Sequence, residues 1–197
     1  VSRAILGYFV EQVHQQKIQA IMEVAEKYIG DKGGVPAFVN GKFNLLEGPF
    51  VPDEWRNRFN GIETFPYFNT NTFWFTAEAL LHVEFSLPLM VSKVEDKKWL
   101  KVESIMGHGM EFLRWKALVV DRPLRFQPAK YLTDLWALRS DCYQWVEGRC
   151  SPLMVNGRYV IRPLMEVSNA VLGDVGDFKR VFKQGSLDSM RGLRTLM

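Results

Sequence analysis

The chain has 197 residues, 47% hydrophobic and 24% charged, so it can bury a substantial core and is not disordered by composition. Its net charge of +3 comes without the dense run of Lys and Arg that is typical of strong nucleic-acid binders. The two cysteines, Cys142 and Cys150, exclude a zinc ribbon and a disulfide-dense scaffold. A single bridge between them stays open as an alternative.

The first predicted element is an amphipathic helix over residues 3–29. Apolar residues such as Leu6, Phe9 and Val13 recur at intervals of three and four, and Gly30 follows as a stop. Residues 35–46 then carry two apolar arms around Asn40-Gly41, a pair that tolerates the left-handed backbone of a type I′ turn. This pattern predicts a short β-hairpin.

The connection over residues 47–70 is rich in aromatic residues and is broken by proline and glycine. A domain of this size is not expected to cover all of its rings, so the pattern predicts a surface that packs against neighbouring proteins. The rings are Phe50, Trp55, Phe59, Phe65, Tyr67 and Phe68.

Residues 71–92 are apolar on nearly every side when placed on a helix, which is typical of a buried central helix. A membrane-spanning position is the weaker alternative, since Glu78, His82 and Glu84 would each be costly in a bilayer. Glu78 and His82 lie one helical turn apart, so we expect a desolvated polar pair.

Two more helices are predicted, over residues 96–120 and 130–146. A second hairpin follows near residues 152–163 around Asn156-Gly157. Its resemblance to the first hairpin reflects convergence on a common turn, with an ancient duplication as the alternative. In the tail, residues 173–197, apolar side chains step at intervals of three and predict a docking helix. They include Leu187, Met190 and Leu193.

Motifs for catalysis are absent: the sequence has no nucleophile elbow, no phosphate-binding loop and no dinucleotide fingerprint. The weak candidates for an acid/base or metal site are Glu78, His82, His108 and Glu111, and a structural role for them is favoured. We predict no cofactor.

The sequence therefore predicts a mainly α-helical fold, with one domain over residues 1–172 that carries two hairpins and an irregular aromatic connection. The favoured function is a non-catalytic structural subunit of a larger assembly, with other protein subunits as partners. One alternative is an enzyme with a buried Glu/His site. The other is an RNA-contacting protein that uses Lys93, Lys97, Lys98, Lys101, Arg114 and Lys116. Low cysteine use and the absence of an initiator Met favour a reducing compartment or an organelle such as the mitochondrion.

Overall fold

A computed structural model describes residues 3–28, 31, 33–40, 42–93, 99–129, 132–146 and 149–159. The chain divides into two compact units between Val120 and Asp121. The predicted boundary near residue 172 and the predicted tail lie outside the described residues, so they stay predictions.

The first unit combines helices with strands that form one mixed sheet and two hairpins. In chain order it contains α1 Arg3–Gln16, β1 Ala20–Glu26, β2 Val35–Val39, β3 Lys42–Leu46, α2 Arg56–Asn60, β4 Tyr67–Phe75, α3 Ala77–His82, β5 Leu89–Lys93, β6 Leu100–Ser104 and β7 Trp115–Val119, with 3-10 helices at Gly48–Phe50, Asp53–Trp55 and Met106–Phe112.

Strand β1 is the centre of this unit. It pairs antiparallel with β4 on one side and parallel with β7 on the other, and six of its seven residues are buried. A strand covered on both faces carries no alternation of polar and apolar residues. Ala20, Met22 and Val24 face a core that also holds Leu45 and Met110.

A bulge interrupts the pairing of β1 with β4 at Glu23 and Val24. Opposite the bulge, Asn71 has φ of +61°, a left-handed conformation that Asn tolerates better than most residues. The Trp74 indole donates to the buried Glu23 carboxylate at 2.7 Å, and the Thr70 hydroxyl donates to the Glu23 carbonyl at 2.9 Å. These two bonds satisfy polar groups that lie inside the sheet.

The hairpin predicted around Asn40-Gly41 is present as β2 paired antiparallel with β3. It packs against the rest of the unit through Phe43, whose ring meets Trp115 edge-on with centroids 4.9 Å apart. Leu45 projects into the core, where its side chain lies against Gly107. The hairpin thereby sets the position of the residue that follows it, Glu47.

The second unit contains α4 Arg122–Arg125, α5 Leu132–Arg139, β8 Tyr143–Val146, β9 Arg149–Pro152, β10 Met154–Val155 and β11 Arg158–Tyr159. Asp121 begins α4, because its carboxylate accepts from the Leu124 amide at 3.3 Å. Strands β10 and β11 form the second predicted hairpin, which turns at Asn156 and Gly157. Both cysteines are free, and Cys142 is buried.

The prediction of a mainly α-helical fold is wrong, since helix and strand are about equal and the sheet is mixed. Three predicted helices contain strands instead. The predicted helix over 3–29 ends with α1, and its second half is β1. The one over 96–120 includes β6 and β7, and the one over 130–146 gives way to β8 after α5. Short apolar runs look alike in a buried helix and a buried strand, so periodicity could not separate them.

The single buried helix predicted over 71–92 is also wrong. The segment holds the end of β4, the short helix α3 and most of β5. Thr and aromatic residues in β4 favour strand, and Thr76 begins a new helix by accepting from the Ala79 amide at 3.2 Å. Among the described residues, no helix is long and apolar enough to cross a membrane.

Candidate functional site

The first unit contains an open cleft of about 470 Å³, within the size range of small-molecule sites. It lies between β3, the turn of the first hairpin and two 3-10 helices, Gly48–Phe50 and Met106–Phe112. Its polar lining consists of Asn40, Lys42, Asn44, Glu47, His108 and Glu111. The cleft therefore offers amides, carboxyl groups, an imidazole and one ammonium group to a ligand.

Glu47 is a partly buried acid in the cleft lining. It follows β3 directly, and burial raises the pKa of its carboxyl above the usual 4.5. Two glycines leave room for this carboxyl. A Cβ on Gly34 would lie 2.6 Å from Glu47 Oε1, and a Cβ on Gly107 would lie 3.2 Å from the same atom. A partly desolvated carboxyl in a cleft is a candidate ligand-binding group.

His108 also lines the cleft and contacts two neighbouring side chains. Its Nδ1 is 3.5 Å from Glu111 Oε1, and its ring meets the Phe50 ring edge-on with centroids 5.2 Å apart. The side chain is 23% exposed, but its Nε2 is buried. Within the described part of the chain, that nitrogen has no hydrogen-bond partner.

A second cavity of about 510 Å³ lies beside β2 and the start of β4. Its lining is largely apolar, with Phe38, Phe65 and Tyr67 among the side chains, and no described residue brings an acid, imidazole or ammonium group to it. The two cavities are similar in size, so the chemistry of the lining decides between them. The Glu47 cleft is the candidate functional site.

The structure separates the four residues predicted as weak acid/base or metal candidates. His108 and Glu111 line the cleft, whereas Glu78 and His82 are exposed on α3 and do not. The expected desolvated Glu78–His82 pair is therefore wrong, because α3 is a short surface helix. No group of three or more His, Cys, Asp and Glu side chains is placed to hold a metal ion among the residues that the structure describes.

The six rings of the 47–70 connection divide into two sets. Phe59 and Phe68 are buried and Phe65 is partly buried, while Phe50, Trp55 and Tyr67 are exposed. Phe59 is covered because Lys27 lies over its ring and donates to its carbonyl at 2.7 Å. The predicted interaction role of the tail residues Leu187, Met190 and Leu193 falls outside the described residues.

Sequence analysis missed the residues at the centre of the cleft. Glu47, Gly34 and Gly107 belong to no catalytic motif, and they meet only because the first hairpin packs on the 3-10 helix Met106–Phe112. One local signal was available: Glu47 ends an apolar hairpin arm and precedes Gly48-Pro49, where a carboxylate is not required for folding.

The comparisons with known proteins agree with one another. Residues 1–196 match the protein-family model described as UTP--glucose-1-phosphate uridylyltransferase. A protein of that name from Hordeum vulgare is 33% identical over 179 residues, which cover 86% of this chain and 35% of the relative. The chain thus spans about a third of the length of the curated relatives it matches.

Solved structures give the same result. The chain is similar to a UDP-glucose phosphorylase from Trypanosoma brucei, with a TM-score of 0.72 and 28% identity over 93% of this chain and 42% of that one. It is also similar to a variant of UDP-glucose pyrophosphorylase from Leishmania major in complex with UDP-glucose. There the TM-score is 0.70 and the identity 25%, over 94% of this chain and 43% of that one.

These matches contradict the prediction of a non-catalytic accessory subunit and the mitochondrial assignment that accompanied it. The predicted partners are wrong as well: protein subunits were favoured, with membrane and nucleic acid as weaker alternatives, whereas the relatives are named for the small molecules UTP and glucose 1-phosphate. Two cations of the predicted RNA-contacting set have local partners, since Lys101 pairs with Glu103 at 2.7 Å and Lys116 donates to Gln12 at 2.9 Å. By its match over residues 1–196, the chain belongs to the UTP--glucose-1-phosphate uridylyltransferase family.

Proposed function

We propose that the protein carrying this chain transfers the uridylyl group of UTP to glucose 1-phosphate, and that the Glu47 cleft holds the hydroxyl-rich part of a substrate or product. The match of residues 1–196 to the family carries the first half of this proposal. The partly buried Glu47 carboxyl between Gly34 and Gly107 carries the second half.

The proposed reaction is a displacement at phosphorus. A phosphate oxygen of glucose 1-phosphate attacks the α-phosphorus of UTP, and the bond from that phosphorus to the bridging oxygen breaks. Pyrophosphate leaves with that oxygen and its electron pair, and UDP-glucose is formed. Because the attacking oxygen is already ionised near neutral pH, the step needs positioning and charge stabilisation more than a general base. The lack of an acid/base motif in the sequence is therefore compatible with catalysis.

Glu47 suits the binding of a hexose. A carboxylate accepts hydrogen bonds from hydroxyl groups, and a neutral carboxyl can also donate one. Hydrogen bonds to a partly desolvated carboxyl contribute strongly to affinity, because a ligand that left the carboxyl unpaired in the complex would bind more weakly. The remaining cleft groups, including the Asn40 and Asn44 amides, extend this polar lining.

The test uses the protein at its natural length. With UTP and glucose 1-phosphate we expect pyrophosphate release that requires both substrates. Glu47→Ala should raise KM for glucose 1-phosphate by at least about tenfold, the loss expected for one buried hydrogen bond to a charged group, and should affect KM for UTP much less. Glu54→Ala, the same change at an exposed carboxylate outside the cleft, is the matched control. Absence of pyrophosphate release from the unaltered protein would refute the proposed activity.

A further inference from the structure

The two ring nitrogens of His108 differ in their surroundings. Nδ1 lies 3.5 Å from the Glu111 carboxylate, whereas the buried Nε2 has no hydrogen-bond partner among the described residues. Buried polar atoms without partners are rare in folded proteins, and at a cleft they point to a ligand.

The Glu111 contact determines what kind of ligand group could satisfy Nε2. A carboxylate only accepts hydrogen bonds, so it favours the tautomer with the proton on Nδ1. In that neutral ring Nε2 is an acceptor, and its partner must be a donor. A hydroxyl group can donate, whereas an ionised phosphate oxygen cannot.

The charges around the ring point the same way. Among the residues that the structure describes, two carboxyl groups, Glu47 and Glu111, line the cleft with His108, against one ammonium group from Lys42. A phosphate next to Glu111 would be repelled, while an uncharged hydroxyl would not. Lys42 is itself exposed on the hairpin, where solvent weakens its attraction for an anion.

We propose that His108 determines specificity in this cleft by accepting a hydrogen bond from one hydroxyl of the hexose through Nε2. This assignment rests on the proposed function, because it takes the hexose of a sugar nucleotide as the occupant. Phe50 is the neighbouring side chain that could open this site: it lines the cleft, its ring packs edge-on against the imidazole, and it is 50% exposed. The proposal requires the Phe50 ring to turn aside so that the buried Nε2 meets the hexose.

The experiment measures binding of UDP-glucose to the natural-length protein, and of four analogues in which a single hexose hydroxyl, at carbon 2, 3, 4 or 6, is replaced by hydrogen. In the unaltered protein, the analogue that lacks the partner of His108 should bind at least about tenfold more weakly than UDP-glucose. In His108→Phe that loss should shrink to within about twofold, while the losses for the other three analogues stay the same.

The controls make each outcome decisive. His14→Phe makes the same change on an exposed histidine outside the cleft, and all four losses should be unaltered. His108→Gln repeats the comparison if phenylalanine prevents folding, which circular dichroism detects. The proposal is overturned if all four losses are the same with and without His108, or if His108→Phe weakens UDP-glucose and every analogue equally. Failure of UDP-glucose to bind the unaltered protein would overturn the proposed function itself, and is recognised before any variant is made.

Discussion

The two Asn-Gly hairpins have nearly the same turn, and the first has an arm that reaches the core. Asn40 and Asn156 both adopt left-handed backbone, with φ of +49° and +50°. Two residues before each Asn, Phe38 is 71% exposed and Met154 is 51% exposed. After the first turn, Leu45 is 3% exposed and belongs to the core. The strands of the first run for five residues, and those of the second for two within the described residues, which end at Tyr159.

This difference teaches that a turn motif specifies a local reversal and nothing beyond it. The first hairpin became a wall of the cleft because Trp115 and Gly107, both distant in sequence, offer a ring and a gap to Phe43 and Leu45. The element that precedes each hairpin is a strand, β1 before the first and β9 before the second. The sequence had instead predicted that a helix, over residues 3–29 or 130–146, comes before each hairpin.

The largest expected difference comes from the buried arm. Leu45→Ala should lower the free energy of unfolding by about 2–5 kcal/mol, because it removes a buried side chain and leaves a cavity in the core. Met154→Ala at the second hairpin should change it by less than about 0.5 kcal/mol. Urea denaturation followed by circular dichroism measures both. Equal losses would contradict the described burial of Leu45.

The next effect concerns the gap that receives Leu45. An added Cβ in Gly107→Ala would collide with the Leu45 side chain and crowd Glu47, so we expect a loss of about 1–3 kcal/mol from overpacking. The double variant Gly107→Ala with Leu45→Ala should lose less than the sum of the two single changes, since the smaller side chain makes room. Strict additivity of the two losses would show that these residues are not in contact.

Sequence reasoning succeeded where the determining interactions are local. The Asn-Gly pairs located both turns. The apolar periodicity near the start of the chain predicted α1, although the predicted helix was too long. It failed where strands are buried on both faces, as in β1, because such strands lack alternation. The cleft depends on contacts of Glu47 with Gly34 and Gly107, which no spacing in the sequence encodes.

The third prediction tests what the hairpins share. Asn40→Ala and Asn156→Ala should each cost about 1 kcal/mol, because alanine pays more than asparagine for the left-handed backbone that both turns require. Hydrogen exchange at the amides of β2–β3 and β10–β11 reports each turn separately. A cost at one hairpin that is several times the cost at the other would mean that packing, and not the turn, stabilises that reversal.

The smallest expected effect comes from Glu47→Gln, which removes the charge that follows the first hairpin. The folded state raises the pKa of Glu47 above its usual 4.5, with burial as the cause, so between these two pKa values the folded chain binds more protons than the unfolded chain. The contribution of Glu47 to stability is thus greatest below about pH 4.5 and declines as the pH rises through the raised pKa. Glutamine carries no charge to desolvate, so Glu47→Gln should increase the free energy of unfolding at pH 7 by less than about 1 kcal/mol and raise Tm slightly. It should also flatten the fall in Tm above pH 4.5. Thermal unfolding from pH 4 to 8 measures this, with Glu54→Gln as an exposed control.

A lower Tm at pH 7 for Glu47→Gln, or an unchanged slope of Tm with pH, would show that the charged form of Glu47 is not destabilised in the cleft. If stability rises while KM for glucose 1-phosphate also rises, the carboxyl is kept at a cost to the fold because the ligand needs it.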